Sequence, residues 1–399
     1  MAPTPYFSSV ISESAFKARF QAENGVNFCQ LPNASASYWG RLHLLACRVI
    51  RREPQRRLLP ILSDYAKSSD LHPESMEIRA FLEGPTATQM AQREHSLVRK
   101  SDCGITLAQT WAAMAMFKGS TDRHTADIPS TPERNEIGNV NEDELRQSKR
   151  LKRDTFQPDF QDSSGMRVGS SSPPQEGFYN GSPDGSKVSS IGYIDSDAHF
   201  ASMTVEDDTL RLASCVIRHI LYFAPPQDSP SLPVVVEFRD AKSRIAATTP
   251  AERKQIIAID DGGLCLRQKK PYGGVVLAKK HVALVEAKTQ FQCLEEGRPI
   301  ISDRNLAQMV CEALATRLSN RPDRVIVINA TQHYMCFLQM DISDDYLLDF
   351  EVTTPRHMLY VSSTPWFDIS QRSGRESILA NLCGIMRRAM SLAGAPSSE

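Results

Sequence analysis

Residues 282–288 read Val282-Ala283-Leu284-Val285-Glu286-Ala287-Lys288. Four apolar residues run without interruption and then meet two charges of opposite sign. Successive side chains of a strand point to opposite faces, so an unbroken apolar run marks a strand covered on both sides. Glu286 and Lys288, two apart, share one face. Charges at the end of such a strand are costly unless they are paired, bound to metal or catalytic. The stretch predicts a central strand that carries a carboxylate and an amine side by side.

The flanking pattern predicts the layers around that strand. Residues 209–223 place Leu210, Leu212, Ala213, Val216, Ile217, Ile220 and Leu221 at helical spacing. Thr204 or Asp207 is a cap for that helix, and Pro225-Pro226 ends it. Residues 234–238 and 256–259 read as strands. The second runs into Asp260-Asp261-Gly262-Gly263, and residues 264–266 are expected to continue it past a glycine bulge. Residues 270–274 form a turn cluster, and 275–288 a long strand or a pair. Ser302 or Asp303 caps a helix reaching residue 318, with Leu306, Met309, Val310, Ala313 and Leu314 on one face. Residues 325–328, 334–340 and 346–350 read as strands. After Gly374 comes a last amphipathic helix with Ile378, Leu379, Leu382, Ile385 and Met386 inward. The order predicts an α/β (α+β) domain over residues 201–395, a central mixed sheet flanked by helices.

Residues 1–117 are weakly patterned, with helical stretches at 38–50, 58–65 and 107–117. They read as a small helical module or an extension packed on the main domain, without a motif that carries chemistry. Residues 118–200 are dominated by Ser, Gly, Pro, Asp and Asn. Such a segment buries too little apolar area to offset its ordering entropy and reads as a disordered linker. Within it, Lys149-Arg150-Leu151-Lys152-Arg153 reads as a nuclear localisation signal rather than a solvated charge run. Thr131-Pro132, Ser172-Pro173 and Ser182-Pro183 fit proline-directed phosphorylation.

The net charge of -1 across 399 residues excludes a global basic field, so any nucleic-acid surface must be local. No run approaches the roughly 18 apolar residues of a membrane span, and no signal peptide or membrane partner is expected. Nine cysteines without a CxxC pair read as reduced thiols of an intracellular protein. The histidines lack zinc-ligand spacing.

Glu-x-Lys alone is weak, since a chain of this length holds one or two by chance. Glu252-Arg253-Lys254 fits it, and Asp240-Ala241-Lys242 fits a relaxed form. Context separates them. The 286–288 copy ends an apolar strand, Asp260-Asp261 end a preceding one, and Gln308 and Glu312 lie one turn apart on the helix that follows. Taken singly, these read as an exposed ion pair, a plain turn and a solvated helix edge.

In this order the residues resemble the PD-(D/E)XK nuclease superfamily, and more closely the fungal PD-(D/E)XK nuclease-like proteins of unassigned role. The resemblance is carried by Ile259-Asp-Asp-Gly-Gly-Leu264, by residues 282–288 and by Leu306-Ala-Gln-Met-Val-Cys-Glu312. Ile342-Ser-Asp-Asp-Tyr346 and Thr364-Pro-Trp-Phe367 extend it, so that it covers residues 200–393. It implies a restriction-endonuclease-like core acting on DNA or RNA, in the nucleus. It also implies that Asp261 (or Asp260) and Glu286 bind Mg²⁺, with Mn²⁺ as a substitute. Lys288 would orient or help deprotonate the attacking water, and Gln308 would assist. The proline that names the motif is replaced by Ile259 or Asp260. Which aspartate faces Glu286 stays open, because a one-residue register change flips the face. Two further readings remain: an inactive scaffold that binds nucleic acid or protein, and a regulatory protein working through its helical N-terminus. Arg267, Lys269, Lys270, Lys279 and Lys280 form a phosphate-contacting strip or a charged hairpin that keeps an edge soluble. Tyr272 at its tip stacks on a base or packs.

Overall fold

The computed structural model describes residues 4–67, 75–99, 104–117, 206–229, 232–270, 272–295, 297–320 and 322–394. The linker, its basic cluster and the three proline-directed sites lie outside these residues. Helices α1 (Tyr6–Ser9), α2 (Glu13–Ala22) and α3 (Arg41–Ala46) precede strand β1 (Val49–Arg51). A 3-10 helix at Pro60–Tyr65 leads to α4 (Met76–Glu83), α5 (Ala87–Met90), α6 (Glu94–Arg99) and α7 (Ile105–Ala115). Then come α8 (Glu206–Phe223), β2 (Val234–Arg239), β3 (Ser243–Thr248), β4 (Gln255–Asp260), β5 (Gly262–Lys269) and β6 (Val275–Lys288). Short strands β7 (Cys293–Glu295) and β8 (Arg298–Ile300) precede α9 (Asp303–Asn320), β9 (Arg324–Thr331) and β10 (Tyr334–Asp341). The chain closes with α10 (Asp344–Asp349), β11 (Leu359–Ser363), β12 (Phe367–Asp368) and α11 (Arg372–Gly394).

Eight strands form one mixed sheet in the order β1-β11-β10-β9-β6-β5-β2, with β12 also paired to β10. β2, β5 and β6 are an antiparallel meander. β9 joins β6 in parallel, pairing Glu286 with Asn329 and Lys288 with Thr331. A parallel neighbour needs a crossover, and α9 supplies it. The inner strands are apolar on both faces because both faces are covered. Ala283 and Val285 of β6 belong to a core with α4, α7, α8 and α11. Leu284 belongs to a second core with α9, α3 and the β3–β4 hairpin. The architecture is α/β, as expected.

The N-terminal region seals both faces. Phe81 and Trp111 are fully buried in the first core, and Tyr6 and Leu44 in the second. Its strand β1 extends the sheet in parallel with β11.

Three local readings are corrected. Residues 49–50 are strand, not helix end, because Arg48 takes a left-handed φ of 55° after α3 and turns the chain. Residues 346–350 form α10 and a final turn, not a strand. Ser343 caps α10 by accepting from the Tyr346 N–H at 3.1 Å. Tyr346 and Phe350, four apart, are buried while Leu348 between them is 75% exposed, a helical rather than an alternating pattern. Residues 264–266 do not continue β4. β4 pairs only with β3, in a separate two-stranded sheet, and β5 starts afresh in the main sheet at Gly262. No helix of the described residues is long and apolar enough to cross a membrane.

Candidate active site where β5 begins and β6 ends

The break between β4 and β5 sets the site. Asp261 sits at the crossover, and its N–H donates to Val285 O at 3.1 Å. Gly263 follows, and a Cβ there would stand 2.7 Å from Ala283 O. Only a glycine lets β5 approach β6 so closely. Asp261 is thereby held against the end of β6, where its Oδ2 accepts from the Ala287 N–H at 3.0 Å. Asp260 points elsewhere: it takes Arg239 at 2.5 Å and the Ser243 N–H at 2.8 Å. The aspartate beside Glu286 is Asp261.

Glu286 and Lys288 share a face, as their spacing predicts, with Lys288 Nζ 2.5 Å from Glu286 Oε1. Gln308 reaches from α9 and donates through Nε2 to Glu286 Oε1 at 2.5 Å and to Glu312 Oε1 at 3.2 Å. The structure thus brings together Asp261, Glu286, Lys288 and Gln308, with Glu312 behind them. All five are buried, Glu286 and Glu312 completely. The second carboxylate oxygens, Glu286 Oε2 and Glu312 Oε2, are buried without a hydrogen-bond partner among the described residues.

Two further charges complete the cluster. Lys242 Nζ lies 2.9 Å from Asp261 Oδ1. It belongs to Asp240-Ala241-Lys242, the tripeptide that competes with 286–288 in sequence. In sequence this tripeptide is set aside because no acidic residue of a strand lies shortly before it; the acid that Lys242 meets, Asp261, lies after it. Glu206 at the start of α8 acts on both Lys242 and Lys288. The first turn of α8 holds Glu206, Asp207 and Asp208, where acidic residues suit the positive end of a helix.

Burial raises the Glu286 carboxyl; Lys288 opposes the shift and Asp261 adds to it. Burial pulls Lys288 down, but Glu286 and Glu206 outweigh it and the net shift is upward. Burial also raises Glu312 well above its ordinary value, with Glu286 and Asp261 adding to the rise. Both carboxyls are raised by burial; the Lys288 contact opposes the rise at Glu286, whereas Glu286 and Asp261 add to it at Glu312.

Among the described residues no group of three or more His, Cys, Asp or Glu is gathered tightly enough to hold a metal ion. Both Asp261 oxygens are occupied, one by Lys242. Carboxylate oxygens are the donors a hard cation takes, and one of them, Glu286 Oε2, has no hydrogen-bond partner among the described residues. Asp261 and Glu286 would hold it, with the Lys242 ammonium displaced from Asp261.

No protein-family model matches the chain, and no curated protein matches it in sequence.

Proposed function

We propose that this chain is a PD-(D/E)XK nuclease-like protein that hydrolyses phosphodiester bonds of DNA or RNA with Mg²⁺, or Mn²⁺ in its place. One observation carries the reading. Asp261, Glu286, Lys288 and Gln308 meet where β5 begins, β6 ends and α9 packs against them, within a succession of helix, three-strand meander, crossover helix and parallel strand. That succession places an acid at the start of one strand beside an acid and an amine at the end of its neighbour. When bound, Mg²⁺ polarises a phosphoryl oxygen and lowers the pKa of a coordinated water. Asp261 and Glu286 supply the anionic oxygens that such a cation needs. Lys288, held by Glu286, would orient an attacking water and balance negative charge. Gln308 fixes the Glu286 carboxylate. The nuclear placement implied by residues 149–153 belongs to the same proposal.

A second reading is favoured by a specific feature. The cluster is buried, and Lys242 already neutralises Asp261. A retained scaffold that binds nucleic acid or protein without catalysis fits that state.

Cleavage of DNA and RNA by the wild type, Glu286→Gln and Lys288→Ala in the presence of Mg²⁺ separates the two. The nuclease reading expects activity in the wild type and a loss of at least about a hundredfold in each variant, with folding retained. Equal activity in all three sinks it. Absence of cleavage with intact nucleic-acid binding supports the scaffold.

A further inference from the structure

A second concentration of charge lies at the other end of β6. β6 bulges there: β5 runs two residues, Leu264 to Leu266, while β6 runs four, from Ala283 back to Lys279. The extra residues swing Lys280 and His281 out of the ladder. Beside the bulge lies a cavity of about 530 Å³, between the β5–β6 arm and the C-terminal ends of α9 and α11. Lys279, Lys280, His281, Gln268, Asn320 and Leu392 are among its lining residues.

His281 is 9% exposed. Its Nδ1 lies 2.9 Å from the Asn320 amide nitrogen. An amide nitrogen only donates, so Nδ1 accepts and Nε2 carries the ring proton. That Nε2 is buried and has no partner among the described residues. Burial, Arg239 and Lys280 pull His281 down to about 4, so the ring is a neutral donor at physiological pH. Lys279 is lowered first by burial and then by Arg388, a cation opposing a cation. Asp323 is the acid that acts on Lys279 and opposes this. The helix C-termini offset part of this charge. Two of them amount to about one elementary charge, against Lys279 and Lys280 of the lining, while Arg388 and Asp323 act on Lys279 in opposite senses. An excess of donors and cations remains around a partly apolar cavity.

We propose that this cavity binds a phosphate group, with Lys279 and Lys280 as its donors and His281, held by Asn320, in its wall. The inference does not rest on the nuclease reading, since the cavity and Glu286 lie at opposite ends of the buried part of β6. The phosphate belongs either to a small phosphorylated molecule or to a nucleic-acid backbone.

The test uses the full chain with inorganic phosphate and, separately, a short single-stranded oligonucleotide. Each is titrated against wild type and a Lys279→Met/Lys280→Met double variant checked for folding by circular dichroism. Phosphate is expected to raise the melting temperature beyond chloride of equal ionic strength. The double variant is expected to lose about tenfold or more in phosphate affinity. Oligonucleotide binding whose salt slope falls by roughly 1 to 2 in the double variant, with little affinity for free phosphate, assigns the site to the backbone. Wild-type and variant chains that behave alike in both arms, or bind neither probe, overturn the proposal. Loss of catalysis in Glu286→Gln with phosphate binding intact separates this site from the first.

Discussion

Glu312 and Lys242 both bear on the charge of the acidic cluster. Burial raises Glu312, so the folded state holds its proton more tightly than the unfolded chain does. A group with a raised folded pKa contributes stability in full below its unfolded value and loses it as pH rises toward its folded one. Glu312→Gln removes that penalty and keeps the shape. Its melting temperature should exceed that of the wild type by more at pH 8 than at pH 5. A difference that is flat with pH, or reversed, shows that folding does not raise Glu312. Lys242 is the cation that a metal would have to displace under the proposed function. Burial lowers its pKa, but Asp261, Glu206 and Asp207 outweigh this and the net shift is upward. Its side chain is 30% exposed, so solvent screens part of its hold on Asp261. Lys242→Met should tighten Mg²⁺ binding roughly severalfold, read by calorimetry. Unchanged affinity shows that Lys242 does not compete for Asp261.

At the scale of elements, the β5–β6 contact holds the site together. A Cβ at Gly263 would press on the Ala283 carbonyl and on Arg239. Gly263→Ala should therefore cost about 1–3 kcal/mol in urea unfolding, the range of overpacked positions. An unchanged midpoint means that β5 has room to move, and with it Asp261. Most elements were legible from periodicity. The helices at 209–223 and 303–318 and the strand at 282–288 fall within α8, α9 and β6. The misses have one cause. A short apolar run such as residues 346–350 fits either period, and the Ser343 cap decides for helix. At residues 49–50 a left-handed Arg48 redirects the chain, which hydropathy does not record.

Across the whole molecule, the N-terminal region and the second half share both cores. Phe81, Trp111 and Leu62 pack with α8 and α11, and Tyr346 OH reaches Cys47 O at 2.9 Å. A fragment that begins at residue 206 strips apolar cover from both sheet faces and the β1 pairing from β11. Such a fragment should unfold without a cooperative transition in calorimetry, while the full chain unfolds cooperatively. A sharp, wild-type-like transition in the fragment means that the second half folds on its own. The sequence by itself determined the α/β class and the central strand, because burial on both faces leaves an unbroken apolar run. It also determined that Glu286 and Lys288 share a face, because the period of a strand is two. Tertiary structure decided that Asp261 rather than Asp260 joins them, that Lys242 reaches Asp261 from the β2–β3 turn, and that β1 extends the sheet. Those choices depend on register and on contacts between distant segments, and local periodicity carries neither.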